Sequence, residues 1–231
     1  MLSRARFLLA ASCLSLFALA GCKAKTMPMS QVVSDNSGGK IAIVSLSVND
    51  FNGSLQGWNK SNTDDILTAK MNEMLTQAEG QLGGSFTVVS AADFTASEGY
   101  QSLAGPDREV AVPSPAGQPM RLFGENRKEL VSTHLPPEKA PKLCEAAGVN
   151  LLAVVYSEWT TATGNFSNTT KPFTKTRVSI YDCDGKQLYI GRKDEMGKRV
   201  LGAMGLAVVD LETVDDWIAA FGRGYAALLA G

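Results

Sequence analysis

The chain has 231 residues, a formal net charge of −1, 45% hydrophobic residues and 19% charged residues. That balance suits a folded domain and is too apolar for a disordered chain. A net charge so close to zero offers no basic face, which excludes nucleic acid as a partner on electrostatic grounds.

Arg4 and Arg6 precede an almost wholly apolar run over residues 7–20. The run is shorter than the roughly 20 residues of a membrane-spanning helix, so residues 1–21 read as a removable leader. The leader ends Leu19-Ala20-Gly21-Cys22. This resembles the lipobox of bacterial lipoprotein signal peptides. The resemblance implies that Leu19, Ala20 and Gly21 are the recognition residues of the signal peptidase and that cleavage falls before Cys22. It further implies a diacylglycerol on the Cys22 sulfur and an acyl group on its amino terminus. Several acyl chains anchor a protein durably where one holds it only marginally. In the sorting scheme of that family, Asp after the cysteine favours the inner membrane. Lys23 therefore implies the outer membrane, with the domain facing the periplasm.

Residues 22–39, rich in Ser, Gly, Asn and Lys, read as a flexible tether. The "SGGK" within it is not a phosphate loop, since it precedes a strand and no Ser or Thr follows Lys40. "KIAIVSLSV" (40–48) is a β-branched, apolar run that suits a central strand. The loop after it carries Trp58, a candidate partner contact as an aromatic in a Gly/Asn setting. From Asp64 a helix is expected, with Leu67, Met71, Met74, Leu75 and Ala78 on one face and Gly80 at its end. "SFTVVSAADF" (85–94) reads as the second strand with its exit.

Residues 105–135 hold Pro106, Pro113, Pro115 and Pro119 with several Gly. They read as an irregular insertion with a short helix at 125–131. Long loops in compact domains tend to be functional or disordered, which makes Asp107, Arg108 and Glu109 candidate partner contacts. "PMRLF" (119–123) is expected to pack on the sheet. Pro141 suits the first turn of a helix that runs through Ala147 and stops at Gly148. "VNLLAVVYSEW" (149–159) is the third strand, and "TTATGNFSNTTKPFTK" (160–175) reads as a polar loop or hairpin tip. "TRVSIYDCDGKQLYIGR" (176–192) is a hairpin turning at Asp184-Gly185. Residues 195–210, with Gly197, Gly202 and Gly205, admit two readings: a buried segment against the sheet, or an exposed apolar loop that docks on a partner or the bilayer. A last helix is expected after Thr213, with Asp215 and Asp216 in its first turn. It would bury Trp217, Ile218, Phe221, Tyr225 and Leu228.

The order of elements predicts an α/β (α+β) fold over residues 40–231: one domain with a mixed sheet of about five strands and helices packed on it. The opening strand, "AAGVNLLAVVYSEW" and "VSIYDCDGKQLYIG" together look like periplasmic lipoproteins of the curli-secretion and TolB-N-terminal type. The penicillin-binding-protein activator lipoproteins belong to that group. The resemblance is one of pattern and transfers no site residue.

Catalytic chemistry finds little purchase. His134 is the only histidine, and a base or metal ligand needs partners. "DCDG" at 182–185 lacks the later acids of a calcium loop, and "GRGYAA" at 222–227 has no preceding strand. There is no G-x-S-x-G and no C-x-x-C. No cofactor is called for. Cys144 and Cys183 are the pair left after the leader and the lipid site. A disulfide and two buried thiols both stay open.

The reading that follows is a non-enzymatic, membrane-anchored envelope lipoprotein. Its domain would bind another envelope component, a protein, as an accessory or regulatory factor. Two alternatives stand beside it. One is a subunit of an oligomeric outer-membrane secretion or assembly complex, for which long amphipathic segments are lacking. The other is a small-ligand-binding module using a groove at the strand ends. Homo-oligomerisation is left open.

Overall fold

The computed structural model describes residues 26–49, 60–103, 120–163, 169–203 and 211–231. Among these, the strands are β1 (Lys40–Asn49), β2 (Thr87–Val88), β3 (Leu151–Thr163), β4 (Thr169–Asp182), β5 (Gln187–Met196) and β6 (Gly202–Ala203). They form one sheet in the order β2-β1-β3-β4-β5, with β6 pairing β4 beyond the end of β5. β1 runs parallel to β2 and β3, and β4 runs antiparallel to both of its neighbours, β3 and β5. The helices are α1 (Met29–Asp35), α2 (Lys60–Leu82), α3 (Ala91–Phe94), α4 (Glu98–Gln101), α5 (Arg127–Val131), α6 (Ala140–Ala147) and α7 (Leu211–Ala230). The result is a single α+β domain with a mixed sheet, as the order of elements predicts.

The topology explains why the sheet is covered on both sides. The step from β1 to β2 goes one way across the sheet and the step from β2 to β3 goes the other. Right-handed crossovers of opposite direction lie on opposite faces. α2 packs with α7 and β1, whereas α3 packs on β1 and α6, and α6 on β3. Ile41, Ala42, Ile43 and Val44 of β1 are accordingly all fully buried, as a strand between two layers must be. α7 runs along β4 and β5 and buries Trp217, Ile218, Phe221, Tyr225 and Leu228. The Trp217 indole donates to Thr160 O at 2.8 Å.

β1 contains one irregularity with a dedicated partner. Ile43 pairs with Ala153 and Ser45 with Val154, so Val44 is an extra residue in the ladder. A bulge leaves backbone groups without a strand partner. The Tyr100 hydroxyl donates to Val44 O at 2.8 Å and accepts from Arg121 N at 2.8 Å. Its ring sits edge-on against Phe94 and Phe123. Burial pushes the Tyr100 phenol far above its ordinary range, so the hydroxyl keeps its proton.

Several expectations are corrected. The flexible tether is folded over its second half: α1 buries Met29 and Val32 and packs on α7 and β5. Met27 N donates to Leu188 O at 2.8 Å. Leu188 is itself an extra residue, because Ile180 pairs with Tyr189 and Tyr181 with Gln187. The second strand is two residues long. Ser90 and Ser97 then cap α3 and α4 by accepting from Ala92 N and Tyr100 N, a local choice that beats strand pairing. α2 begins before Asp64 and continues through Gly80. α7 begins at Leu211, with Glu212 as its first-turn acid. Much of residues 160–175 is strand rather than loop. Their threonines are β-branched, and Thr170, Thr174 and Thr176 are fully buried beneath the helical layer.

Other elements fall where their signals place them. α6 carries Pro141 in its first turn and ends on Gly148 at φ 65°. α5 lies within the expected 125–131 and is capped by Asn126. Gly185 takes φ 79°, and a Cβ there would meet Pro137 Cα at 2.5 Å. Met120, Leu122 and Phe123 are buried, so "PMRLF" packs inward. Within 195–203, Gly197 is buried against Pro172 and Leu201 is buried, while Met196 and Val200 are exposed. Over 195–203 neither simple reading holds, and residues 204–210 of that stretch lie outside the described residues.

Candidate functional site

The clearest functional surface is the half of the sheet that the helices leave open. β3 is buried without interruption from Leu151 to Ser157, and the half-exposed Glu158 follows. β4 alternates between buried and half-exposed residues up to Val178 and is then buried through Tyr181. One face of β4 is therefore covered along its length by α7. Among the described residues the other is covered only at one end, near α5 and the 3-10 turn Pro137–Lys139.

The strand register lays the open half out in rows. Glu158 lies opposite Lys175, which lies opposite Asp194. In the adjacent row Tyr156 lies opposite Arg177, which lies opposite Arg192. The first row alternates in charge, and Lys175 Nζ donates to Glu158 Oε1 at 2.7 Å. The second row is cationic. Arg192 forks onto Asp194 with two bonds of 2.8 Å, whereas Arg177 makes no ion pair among the described residues. Like charges directly opposite each other are destabilising; Arg192 is neutralised by its own Asp194, so it is Arg177 that leaves a demand for an anion.

Tyr156 closes that row. It is buried, and its hydroxyl has no hydrogen-bond partner among the described residues. Burial pushes its phenol up to about 12, Glu158 adds to the rise, and Arg127 and Arg177 oppose it. The Asp194 carboxyl is held below its ordinary value, first by its bond to Arg192 and then by the nearby Arg192, Lys175 and Arg177 charges. A depressed carboxyl contributes stability that is present above its unfolded value near 3.8 and is lost as pH falls through the folded value. Asp194→Asn is therefore expected to flatten acid unfolding below about pH 4 relative to the parent, by less than ~1 kcal/mol because the pair is exposed. Denaturant titrations across that range measure it. An unchanged pH profile would mean that the pair has no energetic role.

A second feature lies at the covered end of the same face. A pocket of about 270 Å³ is lined by His134, Leu135, Pro137, Tyr181, Gln187 and Ile190. Beneath it, the Tyr181 hydroxyl donates to Thr133 O at 2.8 Å, and Gln187 Nε2 donates to Ser179 Oγ at 3.0 Å and to Tyr181 Oη at 3.1 Å. Thr133, at φ 53°, joins its hydroxyl to that of Ser179. These polar groups satisfy one another. The pocket is also smaller than the roughly 300–1,000 Å³ of ordinary ligand sites. It reads as a structural join rather than a small-molecule site.

The residues singled out from the sequence are divided. Leu19, Ala20, Gly21, Cys22, Trp58, Asp107, Arg108 and Glu109 all lie outside the described residues. Cys144 and Cys183 are joined, with a Cα–Cα distance of 5.8 Å, and tie α6 to the turn between β4 and β5. His134 is exposed. Among the described residues no group of three His, Cys, Asp or Glu could hold a metal ion, and no helix is long and apolar enough to cross a membrane. Sequence reasoning missed Tyr156, Glu158, Lys175, Arg177, Arg192 and Asp194. The only signal for them was the half-polar alternation of their strands.

No family model matches the chain, and no curated protein matches it. Distant likenesses to solved structures exist. The hypothetical protein CT253 from Chlamydia trachomatis is 11% identical with a TM-score of 0.42, over 84% of this chain and 95% of that one. Lipoprotein GNA1162 from Neisseria meningitidis is 15% identical with a TM-score of 0.36, over 68% and 82%. A dodecamer of PelC L103M from Paraburkholderia phytofirmans is 9% identical with a TM-score of 0.33, over 90% and 94%. At these scores the likenesses carry no functional argument.

Proposed function

We propose that this chain is a non-enzymatic lipoprotein of the cell envelope, anchored through acylated Cys22 in the outer membrane and facing the periplasm. Its α+β domain binds a protein partner through the open half of the sheet. The observation that carries the binding reading is the row Tyr156–Arg177–Arg192, in which two cations face each other and a buried hydroxyl has no partner. An acidic patch on a partner protein supplies the carboxylate that Arg177 lacks, while the Tyr156 hydroxyl is buried out of a partner's reach. Such a pairing acts on specificity and encounter rate more than on raw affinity.

The test has two arms. Cys22→Ser is expected to release a folded protein from the membrane, because the thiol is the proposed acylation site. Persistence of that variant in the membrane fraction after a high-salt wash would sink the anchor. A photo-crosslinker at position 173, half-exposed on the same face of β4 as Arg177, is expected to capture one envelope protein, and Glu158→Lys should leave that capture intact. Arg177→Glu should abolish co-purification of the same protein while leaving the melting temperature unchanged. Equal recovery from the parent and Arg177→Glu would remove the open face from the account.

A further inference from the structure

We propose that β5 is a self-complementary edge on which two copies of this chain pair, antiparallel and about Lys193, into a two-fold dimer with one continuous sheet. The proposal is independent of the lipid anchor and of the partner on the open face.

The free backbone groups can be read from the ladder. Gly197 N donates to Pro172 O and Leu201 N to Thr170 O, both at 2.8 Å. The even-numbered residues of β4 thus turn their backbone groups toward β5. Backbone direction alternates along an antiparallel pair. The register pairs even residues of β4 with odd residues of β5 beyond the bulge, so the even residues of β5 point outward. Two bonds agree: Leu188 O accepts from Met27 N at 2.8 Å, and Met196 O accepts from the Arg223 guanidinium at 2.9 Å. Between them, Ile190, Arg192 and Asp194 turn N–H and C=O to the edge with no strand partner among the described residues.

In a two-fold antiparallel pairing some residue faces its own copy, and the choice of that residue sets the register. Pairing about Arg192 sets Arg192 against Arg192, and pairing about Asp194 sets Asp194 against Asp194. Pairing about Lys193 sets Arg192 against Asp194 and Asp194 against Arg192, with outward backbone groups matched. It also sets Ile190 against Met196, two of the large hydrophobics exposed on this domain at 37% and 43%. The open face of the joint then reads apolar, charge pair, charge pair, apolar. Opposed charges and opposed apolar side chains are the units that stabilise neighbouring strands.

The other face sets Lys193 against its own copy, with Glu195 of each chain one step away. Charged residues on an edge ordinarily guard against pairing, but the order Arg192, Asp194 guards against foreign strands and fits its own. In the joined sheet, the cationic row Tyr156–Arg177–Arg192 runs on into Asp194, Lys175 and Glu158 of the second copy.

The test uses the full chain, expressed with its own leader and extracted in mild detergent. Opposite residues at the Lys193 position would lie about 4.5 Å apart between Cα atoms, within the roughly 4.4–6.8 Å that a disulfide spans. Mild oxidation of Lys193→Cys is expected to give a covalent dimer. Arg192→Cys or Asp194→Cys alone should give no covalent dimer, whereas the two expressed together should crosslink to each other. Sedimentation of the parent should show a dimer. Arg192→Asp places like charges at both symmetry-related pairs and should weaken the dimer about tenfold, and adding Asp194→Arg should restore it. A parent that sediments as a monomer, or Lys193→Cys that fails to crosslink, overturns the proposal. So does efficient crosslinking of Asp194→Cys to its own copy, or a dimer indifferent to Arg192→Asp.

Discussion

Replacing Cys144 and Cys183 together by Ala is expected to be the most destabilising change that leaves every secondary element intact. The bridge closes a loop of 39 residues, and loops of that size give about 3–4 kcal/mol in chain-entropy accounting. For a domain of this size the loss lowers the melting temperature by roughly 10 °C. The loop contains β3 and β4, the two longest strands, so an unfolded chain lacking the bridge must close the largest part of the sheet unaided. Thermal melts of parent and double variant, with thiols counted under denaturing, non-reducing conditions, check both halves of the claim. Two free thiols in the parent, apart from the blocked Cys22, would exclude the bridge. A melting temperature that does not move would exclude its role.

Tyr100→Phe is expected to cost about 2–3 kcal/mol for the loss of one oxygen, because the hydroxyl serves two backbone groups at once. Val44 O loses its donor and Arg121 N its acceptor, and the Tyr100 hydroxyl between them is buried. The Phe ring keeps its edge contacts with Phe94 and Phe123, so packing is a small part of the loss. Denaturant unfolding measures it. A change below about 0.5 kcal/mol would show that solvent or a backbone shift replaces the hydroxyl.

The parts of this fold legible in the sequence are those that local chemistry determines. Pro141 and Gly148 bracket α6, Asp184-Gly185 turns β4 into β5, and a 3.6-residue period marks α7. β2 and α3 were not legible, because "TVVSAADF" satisfies a strand pattern and two serine caps equally well until tertiary pairing decides. α1 was hidden in a polar segment in which Met29 and Val32 are the buried anchors. The rows of the open face could not be read at all. Glu158, Lys175 and Asp194 become neighbours only through the register of three strands, and each in isolation looks like an ordinary solvated charge. Tyr100 carries no local signal either, since its partners lie 56 and 21 positions away.

On the proposed anchor at Cys22, the bond between Met27 N and Leu188 O would set how far this protein stands from the membrane. Cys22 and Met27 are five residue steps apart, and an extended chain covers at most about 3.6 Å per step. With Cys22 acylated, the first sheet-edge bond of the domain lies within ~18 Å of the lipid. So anchored, the domain would not sample the depth of its compartment as a ball on a long leash would. On that anchor a partner would meet the domain close to the bilayer, and two copies would share one layer before they meet.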